Sequence, residues 1–500
     1  MAPNLMRRVR ETAQAGLCAM ALAAALGAGA AQAGSPAVTP VAGRPSLLLG
    51  AYDIAALGYS TQEFFVSGTA TSYKLAGPPT PDGRWSASPA DTAPYATRIV
   101  VLRPTDPAKF NGTVVVEWLN VTAGVDASPD WNAAHREMIR RGYAYVAVSA
   151  QKVGVEGGAS LGADMSLKKT RPDRYGKLSH PGDAYSYDIY SQAGRLVRSS
   201  GADGVLGGLV PKRILSVGES QSAVFLTTYV NAVDPLAKVY DGFLIHSRFG
   251  PAARIDGGSI IGAGPDAMLK GVRLRTDLRV PVMTFITETD LLGGRLAGFH
   301  GAQQPDNDHL RIWEVPGTSH ADNYTVGGGF IDSGSAPLAK LAAGYAPTTR
   351  FVGAQLAKPM NFAPQHHYVL QAALASLDAW VRTGEAPPKG ARIKLTDANP
   401  PDAVRDAHGL AEGGIRTPWM DVPTARLSGV GNAGSPMASL VGVGEPFDAT
   451  TLDKLYPGGK AEYLKQFDAS LSKAIKAGFL LTADRQEILD LAGAMYPAAK

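Results

Sequence analysis

The chain contains a series of short runs in which nearly every residue is apolar or β-branched: Thr113–Asn120, Tyr143–Ser149, Arg213–Val217, Val239–His246, Val280–Thr287 and Leu310–Val315. They do not alternate apolar with polar, so neither face of a sheet built from them can meet water. Helical stretches separate them. Trp131–Arg141 has a polar face, with Asp130 expected as its cap and Gly142 as its stop; Ala184–Ser199 and Tyr368–Arg382 follow the same logic. Strands alternating with helices predict an α/β fold, a mostly parallel central sheet with helices on both faces. Ala96–Arg103 is read as a strand preceding this pattern, and Ala461–Ala477 as a late helix.

One strand-to-helix junction stands out. Arg213–Ala223 reads Arg-Ile-Leu-Ser-Val-Gly-Glu-Ser-Gln-Ser-Ala, a buried strand, a sharp turn and the start of an apolar helix. Gly-x-Ser-x-Gly turns of this kind present a nucleophilic serine. The turn tolerates little bulk two residues either side of the serine, because strand and helix close on each other there. Gly218 meets this requirement, and Ser222 stands where glycine is usual.

A serine hydroxyl needs a base and a group that orients the base. In this fold order the acid and then the histidine follow the serine. After the strand Val280–Thr287 comes Glu288-Thr289-Asp290; Asp290 is the expected acid and Glu288 the alternative. After Leu310–Val315 comes Pro316-Gly-Thr-Ser-His320, a loop that holds an imidazole over the sheet edge. His320 is therefore the expected base. His309 precedes that strand and belongs at the opposite end, while His366 and His367 open a helix and read as capping or surface residues. Two backbone N–H donors are needed for the oxyanion: Gln221, after the nucleophile, and Asn120 or Val121, after the strand at 113–120. His246 ends a core strand on the serine's side and is a candidate substrate contact. Glu117, within a strand, needs a buried partner and reads as structural.

Other motifs carry less. Gly429-Val-Gly-Asn-Ala-Gly434 lacks the preceding strand and following helix of a dinucleotide site and reads as a loop. Asp306-Asn-Asp-His309 reads as solvated, so no metal is expected, and no cofactor is needed for the chemistry above. The only cysteine, Cys18, lies in the first 33 residues, which excludes a disulfide framework or a cysteine nucleophile from the remainder.

Those first residues have a basic start (Arg7, Arg8, Arg10), an alanine-rich run and an Ala31-Gln-Ala33 cleavage site. They predict a signal peptide cut after Ala33 and a periplasmic or secreted product; the run is too weakly apolar for stable membrane insertion. The formal charge of +4 falls to +2 without the leader's three arginines and one glutamate, which offers no nucleic-acid footprint. The expected organisation is the leader 1–33, a β-rich extension 34–95, a core 96–385 with lid insertions, and a C-terminal extension 386–500 packed on the core. Loops 151–182, 249–278 and 321–365 follow core strands and are expected to gather over the site as a lid.

The chain also resembles a bacterial family of exported alpha/beta hydrolase domain proteins with a Gly-Glu-Ser-Gln-Ser elbow. The likeness runs through Gly58-Tyr59, Ser67-Gly-Thr-Ala, Asn111–Val121, His180–Asp188, the elbow, Trp313–His320, Ala379–Pro388 and Arg416–Trp419. It implies an α/β-hydrolase fold and a triad of Ser220, an acid after the Val280 strand, and His320. The elbow is similar, more weakly, to the Gly-x-Ser-Gln-Gly form of cutinase-like esterases. The resulting expectation is a serine hydrolase that cleaves a small-molecule, glycan or lipid ester through an acyl-enzyme. Amide or lactone hydrolysis, acyl transfer, and a non-catalytic envelope or carbohydrate-binding module are the alternatives.

Overall fold

Strands of this composition are buried on both faces, and the computed structural model of the chain shows how. It describes residues 35–497 apart from 202–203, 259, 261–267, 269, 295 and 436; the expected signal peptide and Cys18 lie outside the described residues. The described residues from 36 onward make one compact unit.

Nine strands form the central sheet: β1 (Ala37–Val41), β2 (Tyr59–Leu75), β3 (Ala87–Pro104), β4 (Thr113–Trp118), β5 (Ala144–Val148), β6 (Arg213–Glu219), β7 (Gly242–His246), β8 (Val282–Thr287) and β9 (Leu310–Val315). Their spatial order is β1-β2-β3-β5-β4-β6-β7-β8-β9. The pairs from β5 through β9 are parallel, whereas β1, β2 and β3 join antiparallel. Side chains alternate between two cores. Val114, Val116 and Trp118 face one core, and Val115 and Leu119 face the other. Phe243 and Ile245 separate from Leu244 in the same way.

Helices cover both faces. On the first lie α2 (Ser186–Arg198) and α3 (Gln221–Thr228); on the second lie α1 (Pro129–Arg141), α5 (Gln365–Thr383), α6 (Gly459–Lys476) and α7 (Arg485–Met495). The short α4 (Glu288–Leu292) follows β8 directly. Among the described residues no helix is long and apolar enough to cross a membrane.

Two local readings change. Helix α1 starts at Pro129, not Trp131, with Ser128 rather than Asp130 as its N-cap residue. Its first N–H groups are satisfied from the sheet, because the Glu117 carboxylate accepts from Asp130 N at 3.0 Å and Trp131 N at 2.9 Å. With the Tyr145 hydroxyl at 2.6 Å, these donors are the partners that buried Glu117 required, while burial and neighbouring Asp130 push its carboxyl well above the ordinary range. The N-terminal extension also has no break at residue 95: β3 runs through it, and its hairpin with β2 pairs from Tyr59↔Pro104 to Leu75↔Ala87. Buried Arg98 of β3 binds Glu63 of β2 and Asp126 of the β4–α1 loop, each at 3.0 Å. The hairpin is thereby tied to the loop that borders the β6 end.

Candidate active site

The carboxyl ends of β4, β6, β7, β8 and β9 lie side by side, where open parallel sheets collect functional groups. Ser220 sits between β6 and α3 with φ 59° and ψ −113°. This left-handed conformation is costly for a residue with a Cβ. It is imposed by the strand on one side and the helix on the other. A Cβ on Gly218 would lie 2.9 Å from Leu226 Cδ1 and 3.0 Å from Ser222 Cβ, so only glycine fits there. Ser222 is fully buried and its hydroxyl has no hydrogen-bond partner. It is tolerated for its small size rather than for its oxygen.

His320 Nε2 lies 2.8 Å from Ser220 Oγ, and its Nδ1 lies 2.6 Å from Asp290 Oδ1. Asp290 is held by a reciprocal cap: its Oδ2 accepts from Thr287 N at 3.0 Å and its own N–H donates to Thr287 Oγ1 at 3.1 Å. The loop of His320 is fixed to the same turn, with His320 N donating to Thr289 Oγ1 at 3.1 Å. Glu288 points elsewhere. Its carboxylate accepts from Gly317 N at 2.8 Å, Arg405 Nη2 at 2.9 Å and Ser428 Oγ at 3.0 Å, so it joins the β8 end to the C-terminal extension. The Phe249 ring packs on His320 with centroids 5.0 Å apart.

The expected oxyanion donors divide. Gln221 opens α3 directly after Ser220, where an N–H has no intrahelical acceptor. The loop donors are spoken for, contrary to the expectation. Asn120 N donates to Ala127 O at 2.9 Å, and Val121 N donates to the Gln221 side-chain Oε1 at 3.1 Å. The cause is local: residues 120–127 close on themselves as a bridge, and the Gln221 side chain turns back to bind the strand end. Asn120 contributes its side chain instead, donating from Nδ2 to both Glu219 O and Glu219 Oε2 at 3.1 Å.

Beside His320 and Glu219 lies a cleft lined in part by Asn132, His246, Asp322 and His366. His246 lines it but is also engaged, with Nδ1 2.9 Å from Asp130 Oδ1 and Nε2 2.8 Å from His366 Nε2. Burial pushes His246 down to about 3 and His366 down to about 4. A nitrogen-to-nitrogen contact needs one donor and one acceptor, which suits two neutral rings. His320 behaves oppositely. Burial alone would lower it, but Asp290 and then Glu219 outweigh burial and raise it to about 9. Glu219 is itself pushed up to about 8, mainly by burial and against the pull of His320.

Sequence reasoning placed His366 and His367 on a surface or at a cap; both are buried and line the cleft. The signal was present. His366 shares a helical face with Val369, Leu370 and Ala373, which are core residues. Glu219 was read only as part of the elbow, and Asp130 only as a cap. His180 is buried with Nε2 2.9 Å from Ala150 O, a structural contact. Asp306 pairs with Arg392, and among the described residues no group of three or more His, Cys, Asp or Glu side chains is arranged to hold a metal.

Residues 26–490 match the family described as "Alpha/beta hydrolase domain". No curated protein matches the sequence. Solved structures similar in fold include a glucuronoyl esterase from Solibacter usitatus, at 11% identity over 58% of this chain and 82% of that one with a TM-score of 0.30. An α/β serine hydrolase without a lid from Xanthomonas campestris is similar at 11% identity over 51% and 85%, TM-score 0.26. Acetyl xylan esterase 1 from a Thermoanaerobacterium species is similar at 8% identity over 55% and 81%, TM-score 0.27.

Proposed function

The chain belongs to the alpha/beta hydrolase domain family, and from that premise we propose that it is an exported serine hydrolase that cleaves a carboxylic ester. The observation that carries the reading is the continuous contact Ser220 Oγ–His320 Nε2–Asp290 Oδ1, at 2.8 and 2.6 Å. Ser220 Oγ attacks the acyl carbon and its proton passes to His320 Nε2. Asp290 accepts the Nδ1–H, which fixes the tautomer and stabilises the imidazolium. The negative oxygen of the tetrahedral intermediate accepts from Gln221 N–H at the N-terminus of α3, a donor worth on the order of 3 kcal/mol. His320 returns the proton to the leaving alcohol. Water, deprotonated by the same imidazole, then releases the acid and restores Ser220. The cleft that His320 and Glu219 line is shared with His246 and His366, which burial keeps neutral, and short acyl groups are the first substrates we assign to it.

The test is fluorophosphonate labelling of the purified protein, with hydrolysis of p-nitrophenyl esters of increasing chain length. Ser220→Ala and His320→Ala should abolish both, and acetate or butyrate esters should outrun long-chain ones. Labelling that persists in Ser220→Ala refutes the assignment. Absence of both activities in the wild type favours a non-catalytic role for the scaffold.

A further inference from the structure

The His320 imidazole is flanked by two carboxylates, although the triad requires one. Glu219 Oε1 lies 3.3 Å from His320 Nε2, the nitrogen that also meets Ser220 Oγ at 2.8 Å. Asp290 occupies the Nδ1 side. Glu219 is buried, 8% exposed. Among the described residues with ion pairs, its only cationic partner is His320. Its orientation is fixed, because Asn120 Nδ2 donates to Oε2 at 3.1 Å and leaves Oε1 facing the ring.

This arrangement constrains where a proton can be. A neutral imidazole that donates Nδ1–H to Asp290 presents a lone pair at Nε2. An ionised carboxylate oxygen at 3.3 Å repels that lone pair, whereas an imidazolium N–H attracts it. The pair is therefore stable with one proton between them, either on Nε2 or on Glu219. The other groups acting on Glu219 are all acidic or neutral: Asp130 of α1 and Asp290 of α4 raise its proton affinity, and Asn120 after β4 lowers it.

We propose that Glu219 is a positioning residue that shares a proton with His320 and so sets the pH range in which Ser220 can be activated. This rests on the esterase reading above and adds its regulation. With the shared proton on Nε2, His320 cannot accept from Ser220 Oγ. Once that proton leaves, Oγ bonds the acyl carbon, the carbonyl electron pair moves to oxygen, and the Oγ proton moves to Nε2. The imidazolium so formed then faces carboxylates on both sides. Activity should accordingly be favoured in mildly alkaline solution, with the two sites titrating as a pair near 8 and 9.

The decisive measurement is the low-field proton resonance of His320 Nδ1–H, followed by NMR against pH without substrate, in wild type, Glu219→Gln and Glu219→Asp. Glu219→Gln should lower the titration midpoint by about one unit or more, the usual effect of removing an opposite charge within ~4–6 Å. The acid limb of kcat/KM should move by the same amount. Glu219→Asp, which keeps the charge, should retain most of the wild-type midpoint. An unchanged midpoint in Glu219→Gln overturns the proposal. If Glu219→Gln does not fold, a Glu219→Asp midpoint that already equals an isolated Asp–His pair overturns it equally. Because the resonance is read without turnover, a wild type that hydrolyses no ester would refute the functional reading while leaving this coupling measurable.

Discussion

Asp290 and Glu288 are two residues apart on one turn, yet their environments predict opposite phenotypes for amide substitution. In Asp290→Asn the side chain has one acceptor and one donor to distribute. Thr287 N–H needs the acceptor, since it donates to the Oδ2 position at 3.0 Å. The amide NH2 is then left facing His320 Nδ1, where Oδ1 had stood at 2.6 Å. A donor there forces the imidazole to carry its proton on Nε2, the tautomer that cannot take the proton of Ser220. The expected loss in kcat is about 10⁴-fold, or roughly 5.4 kcal/mol of activation free energy. The capping contacts survive, so Tm should hardly change. In Glu288→Gln, three donors (Gly317 N, Arg405 and Ser428 Oγ) converge on a group that now has one acceptor and a donor of its own. Arg405 keeps its longer contact with Asp402 at 3.3 Å, so losing the buried half of its pairing and mismatching the other donors costs about 1–3 kcal/mol. Tm should fall by several degrees while kcat stays within roughly tenfold, the active-site hydrogen bonds being intact. Steady-state hydrolysis of p-nitrophenyl butyrate, paired with thermal melts, reads both axes. Retention of more than a tenth of kcat in Asp290→Asn, or a collapse of kcat without loss of Tm in Glu288→Gln, would refute the reasoning.

Two further outcomes follow from buried polar groups. Ser222→Ala removes a buried hydroxyl with no partner and keeps the size the elbow needs, so stability should be unchanged or rise by up to about 1 kcal/mol in urea titration, with activity retained. His246 and His366, depressed to about 3 and about 4, should make the fold acid-labile. Their contribution is fully present above the ordinary histidine value near ~6.5, shrinks steadily as pH falls below it, and is exhausted once pH has passed 4 and then 3. Urea midpoints should drop across that window in wild type and less steeply in His366→Gln.

The strands and the order of the site residues along the chain were legible because they rest on local patterns. Continuous β-branched runs have one reading at this length, and β9 spans Leu310–Val315 as expected. The parallel sheet then dictates which strand ends are neighbours, which is why Ser220, Asp290 and His320 could be named without coordinates. What was not legible depends on contacts between distant segments. Glu219 projects from the nucleophile strand, and only the arrival of the β9 loop decides what it faces. The loop N–H groups of Asn120 and Val121 were assigned by analogy of position, but the Gln221 side chain takes one and the Ala127 bridge the other. His366 was masked by its place at a helix start, since polar residues there usually meet water; here a second histidine and Phe285, stacked at 5.1 Å, complete its surroundings.

The fastening of Glu288 to Arg405 and Ser428 bears on the timing of activity. Gly429 O accepts from Thr289 Oγ1, the atom that holds the His320 backbone, and Leu440 O accepts from Ala321 N. A ribosome that has reached residue 400 has already made the serine, the acid and the base. The segment that braces the acid turn against the histidine loop is still to come. The brace should therefore arrive late, when residues 405–440 close on the β8 and β9 ends. At about 5–20 residues per second that is a delay of seconds, during which a growing chain carries Ser220, Asp290 and His320 without the brace that fixes their turn and loop.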